Sequence, residues 1–91
     1  MLISVFKTSG HSMEPTLKEG SFFLASSIPY FFTHPKTGDL IIFKNQNKTI
    51  VKKIVKIEKE KYIVAGQNLS DSMEFEPITR NDILGKVIFK F

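Results

Sequence analysis

Thr49-Ile50-Val51-Lys52-Lys53-Ile54-Val55-Lys56-Ile57-Glu58 is the stretch that decides the fold. Most of its residues are β-branched, which restricts χ1 in a helix and suits a pleated, half-buried strand. Alternation along a strand sends Lys52 and Lys53 to opposite faces. Lys52 then shares a face with Ile50 and Ile54, and Lys53 with Val51 and Val55. Both lysines have apolar neighbours on their own face, so periodicity does not choose which one points inward.

Working outward, NQNK at 45–48 reads as a polar hairpin turn, and DLIIFK at 39–44 as the strand before it. On the other side, 59–61 makes a turn and 62–65 (YIVA) a strand. Residues 2–6 and 21–25 (SFFLA) read as strands, and a closing strand over 82–91 ends in period-two alternation. Residues 8–20, 26–38 and 66–80 read as loops; Pro29, Pro35 and the turn Thr37-Gly38 punctuate the second of them. The spacing predicts no helix beyond a single turn over 13–18, with Pro15 near its start. Strands at this spacing without a βαβ rhythm imply a mainly β fold. The expected form is a small antiparallel or mixed barrel or sandwich, as one domain over 1–91.

Composition narrows the function classes. A chain of 91 residues buries only about two-thirds of the surface its unfolded form exposes, so the core must be economical. Cysteine is absent, which excludes a disulfide framework and thiolate metal sites. The net charge of +4 comes from lysines spread through strand-like segments, which reads as solvated faces rather than a nucleic-acid patch. A basic β-barrel that binds single strands is the rival reading. Most of the nine Phe lie in apolar runs that read as core, which counts against it. Residues 1–6 are too short for the apolar core of a signal peptide, and 22–32 too short to span a bilayer. Within the latter, Ile28-Pro29-Tyr30-Phe31-Phe32 has two readings: packing under a loop, or an exposed patch that rests on a membrane.

Ser12 is the candidate nucleophile. It follows a strand and Gly10, with Pro15 three residues on, on a constrained turn that would expose its hydroxyl and backbone N–H together. A serine needs a base. His11 is adjacent and points away on an extended chain. His34 with Asp39 or Asp71 would complete a Ser-His-Asp set. A strand lysine is the other option, because burial disfavours its charged form.

The order of the pieces carries a family resemblance. GHSMEPTL (10–17), GDLIIF (38–43), IVKKIV (50–55) and GQNLSDS (66–72) occur in that order. Together they resemble the nucleophile block, the Gly-Asp strand, the lysine strand and the Gly-Asp-Asn loop of the signal peptidase I family. The self-cleaving repressors, with the same Ser-Lys chemistry, are more distantly similar. The resemblance implies the signal peptidase catalytic-core fold and a serine endopeptidase that cuts a signal peptide or propeptide. Ser12 would be the nucleophile and Lys52 the general base, with Lys53 in place of an outward arginine. Ser72 would orient the lysine, with Ser70 as the alternative. Met13 and Pro15 would hold the turn, with Met13 lining the substrate groove. Gly10 stands where some members place a second oxyanion donor, so a backbone or water donor would serve.

The same resemblance implies no metal or cofactor, and an extended segment of a precursor protein as partner. It also implies contact with a membrane surface and no nucleic acid. Localisation would be membrane-associated or membrane-peripheral; with no spanning segment in the chain, cytoplasmic is the alternative. The chain departs from the family at Gln67, where Asp is usual, and at Met73-Glu74-Phe75-Glu76, where a Ser-x-Asp-Ser-Arg ending is not reproduced. Its size is similar to that of the maturation proteases for nickel superoxide dismutase. A peptide-binding module that keeps the fold without the activity is the competing class.

Overall fold

A computed structural model describes residues 2–10, 13–66 and 76–91. The fold is mainly β: the described residues form seven strands in one sheet, ordered β1-β2-β7-β3-β4-β5-β6, with every pairing among them antiparallel. The strands are β1 (Ser4–Lys7), β2 (Phe22–Ser26), β3 (Leu40–Asn45), β4 (Lys48–Glu58), β5 (Lys61–Ala65), β6 (Ile78–Thr79) and β7 (Ile83–Lys90). The stretch 49–58 is indeed the longest strand, and β3 pairs with it from Leu40↔Lys53 to Asn45↔Lys48. The connecting turn is two residues, Gln46 and Asn47, both at positive φ, the geometry that matches strand twist. Lys48 is therefore strand rather than turn.

Three short elements lie where the sequence reads as loop. Helix α1 (Pro29–Phe32) starts on a proline, whose fixed φ suits the first helical position. The 3-10 turn Arg80–Asp82 is closed by a capping box in which the Thr79 N–H and hydroxyl donate to Asp82. Strand β6 is two residues paired to the start of β5. All three are too short for periodicity to reveal.

Apolar residues occupy both faces of the sheet. One cluster gathers Tyr30, Ile41, Phe43, Ile54, Tyr62, Val64, Ile78 and Ile83. The second gathers Met13, Leu17, Phe23, Ala25 and Ile42, with Phe6, Leu40, Val51 and Val87 packed against it. Ile41 and Phe43 belong to the first and Ile42 to the second, as alternation along β3 requires.

The expectation that most Phe residues are core does not hold. Phe22, Phe31, Phe32, Phe89 and Phe91 are all exposed, Phe32 to 83%. An apolar run marks a strand or helix, but not whether anything covers it. The Ile28-to-Phe32 cluster divides: Tyr30 is buried, and Phe31 and Phe32 point to solvent.

Candidate active site

β4 carries the lysine pair, and tertiary packing separates its members. Lys52 is only 4% exposed, whereas Lys53 is half-buried. Lys52 lies directly across from Ile41 and on the same face as Ile50 and Ile54. Ile41 and Ile54 are fully buried.

A cleft of about 180 Å³ opens beside Lys52. Phe6, Lys7, Thr8 and Ser9 line one side, Thr49, Ile50, Val51 and Lys52 the other, with Phe23 and Ile42 between them. Both sides are strand edges. β1 stands at the end of the sheet. β5 joins β4 only from Lys53 onward, so residues 48–51 have β3 on one side and no described strand on the other. Thr8 is buried, and its backbone is tied to the 20–21 turn: its N–H donates to the Ser21 carbonyl at 2.7 Å and its carbonyl accepts from Gly20 at 2.8 Å.

The first wall of the cleft runs on into Gly10, which has φ +87°, a conformation that strains any residue with a Cβ. Met13 and Leu17 anchor the segment that follows. Both are 1% exposed in the second core, and the Leu17 N–H donates to the Met13 carbonyl at 2.8 Å. Pro15 is exposed. Ser12 and His11 lie outside the described residues, as do Ser70, Asp71 and Ser72.

Asp39 has work of its own, which the sequence reading did not assign. Its Oδ2 accepts from the Tyr30 hydroxyl at 2.7 Å and from the Lys36 N–H at 3.1 Å, and the Lys86 Nζ is 3.6 Å from its Oδ1. Its carbonyl accepts from the Ile54 N–H, while the Gly38 N–H donates to the Ile54 carbonyl. Asp39 thus ties α1, the loop before β3, β7 and β4 together, two residues beyond Lys52. Burial, then the hydrogen bond to Asp39 and its charge, push the Tyr30 hydroxyl well above its ordinary pKa of 10.0. The Arg80 guanidinium, 5.4 Å from the Tyr30 ring centroid, opposes that shift. With its carboxylate so engaged, Asp39 is poorly placed to orient the exposed His34. A tyrosine inside an apolar cluster is the signal that could have found this node, since a buried tyrosine hydroxyl needs a partner.

No helix among the described residues is long and apolar enough to cross a membrane. A family model described as signal peptidase, peptidase S26, matches residues 1–57. That span includes the Ser12 block and the Lys52 strand and stops before the 66–72 loop. Among curated proteins, none matches the chain.

Proposed function

This chain belongs to the signal peptidase family, peptidase S26, and from that premise we propose that it is a serine endopeptidase that cuts a signal peptide or propeptide with a Ser12–Lys52 dyad. The observation that carries the reading is the burial of Lys52, and not of Lys53, beside a cleft whose other wall is formed by residues 6–9, the segment that precedes Ser12 in the sequence. Burial in apolar surroundings disfavours an ammonium and so favours the neutral amine that a general base must be.

Neutral Lys52 takes the proton of the Ser12 hydroxyl as the oxygen attacks the scissile carbonyl. Backbone N–H groups near Ser12 hold the oxyanion. The ammonium then protonates the leaving amine, which gives an acyl-enzyme and returns Lys52 to its neutral form. Lys52 next takes a proton from water, whose oxygen attacks the ester. That proton returns to Ser12 as the acid product leaves. Ser72, or Ser70 in its place, orients the lysine. Gly10, Met13 and Pro15 shape the turn that presents Ser12. The substrate lies extended in the cleft, where two open strand edges offer it main-chain hydrogen bonds.

The exposed Phe31 and Phe32, on a chain of net charge +4, suit contact with an anionic membrane surface. The reading therefore includes a membrane-peripheral location. A second reading, a peptide-binding module without activity, draws on Met73-Glu74-Phe75-Glu76, which stand in place of the family's Ser-x-Asp-Ser-Arg ending.

Incubation of the purified protein with a fluorogenic signal-peptide-like substrate separates the two. Cleavage that falls to background in a folded Ser12→Ala variant is the expected result. Peptide binding without cleavage selects the inactive module, and undiminished cleavage by Ser12→Ala overturns the dyad. The pH–rate profile should rise on a limb well below the range of a free lysine; activity confined to pH above ~10 would exclude a desolvated base.

A further inference from the structure

Lys7 is the exposed cation on the lip of the cleft. It lines the cleft together with Ser9, and among the described residues its ammonium makes no hydrogen bond or ion pair. Among the described residues that line the cleft, Lys7 and Lys52 are the ones with ionisable side chains. Lys52 is buried, so a ligand lying along the outside of β1 meets the charge of Lys7.

The register of β1 says which part of the ligand that is. Val5 lies across from Leu24, Phe6 from Phe23 and Lys7 from Phe22. Val5 and Lys7 therefore share one face of the sheet, and Phe6 lies on the other. Phe6 stacks on Phe23, with centroids 5.5 Å apart, and packs on the cluster that holds Ile42 and Val51. A peptide that adds to the free edge of β1 continues the same alternation. The side chain beside Phe6 faces the apolar interior of the cleft. Its neighbour on one side lies against Lys7, and its neighbour on the other against Val5, which is 62% exposed.

We infer that Lys7 is a specificity residue: it selects extended peptides with an acidic side chain beside it, set two positions from an apolar side chain that covers Val5. This inference rests on the reading of the cleft as a peptide site. Opposite charges directly across two strands attract, and like charges repel. A lysine at that one position should therefore be rejected while lysines at neighbouring positions are tolerated.

The test is a set of fluorescent peptides built on a small-residue cleavage sequence, with Asp, Ala or Lys placed at each position in turn. Binding is read by anisotropy on the Ser12→Ala variant and cleavage on the parent protein. One position should show Asp bound about three- to tenfold more tightly than Lys, an effect of about 1 kcal/mol in scale. The preference should survive in Lys7→Arg, vanish in Lys7→Ala, reverse in Lys7→Glu and shrink as salt is raised. A Lys7-dependent preference in binding without cleavage supports the inference and removes the protease reading. Cleavage indifferent to charge at every position, or a preference unchanged in Lys7→Glu, overturns the inference and leaves the protease reading standing. Failure of every peptide to bind or be cleaved overturns both.

Discussion

At the β3–β4–β5 end of the sheet, the face that bears Ile41, Phe43 and Ile54 packs against Tyr30 of α1, and Ile78 and Ile83 of the sheet itself complete the cluster. At the β1–β2–β7 end, the continuation of that face bears Val5, Phe22, Phe89 and Phe91, and nothing covers them among the described residues. Phe43 is fully buried, while Phe89 is 56% exposed. Both ends are apolar, both are strands, and hydrogen bonds pair both equally well. Their difference lies in Asp39. Its carboxylate holds α1 through Tyr30 and reaches β7 through Lys86, so a four-residue helix too short to stand alone becomes a fixed cover. Among the described residues, one of these surfaces is covered and the other stays exposed.

The contrast can be attacked at its strongest point first. Lys52 sits within the closed end, and Lys53 does not share its burial. Lys52→Ala should cut cleavage by at least about a hundredfold, the scale of a lost general base. Lys53→Ala should stay within a few-fold of the parent. A dead Lys53→Ala beside an active Lys52→Ala would show that the base lies on the other face.

Stability sharpens the same comparison. Phe43→Ala at the closed end should cost about 3–5 kcal/mol in urea unfolding. Tyr30→Phe removes the hydroxyl that donates to Asp39 and should cost about 1.5–3 kcal/mol, as for a hydrogen bond to a charged group. The same variant has a pH signature. The Tyr30 hydroxyl is held protonated in the fold and ionises more readily once unfolded. Its contribution is therefore complete below pH ~10 and declines as pH rises beyond that. The parent should lose stability on that alkaline limb more steeply than Tyr30→Phe, and parallel limbs would remove Tyr30 from the account. Phe89→Ala at the open end should change stability by no more than about 0.5 kcal/mol. A cost equal to that of Phe43→Ala would mean that the two ends do not differ.

Much of this was legible in the chain. β-branched runs, period-two alternation and the NQNK turn mark the β3–β4 hairpin, and the order of four short blocks points to the family that the match over residues 1–57 then bears out. Asp39 was legible as a residue of a strand-opening Gly-Asp pair, but its service to Tyr30, Lys86 and Ile54 was not. Those partners come from three different elements, and no local pattern links them.

By itself the sequence determined where the strands run, which side chains share a face, and which residue types are available for Ser-Lys chemistry. Tertiary structure alone decided that Lys52 is the buried lysine of its pair, that Phe31, Phe32, Phe89 and Phe91 face solvent, and that Lys7 stands on the lip of the cleft. The physical reason is that alternation is a local property of one strand. Coverage depends on which distant segment packs against a face, and identical apolar runs become core or surface according to that neighbour.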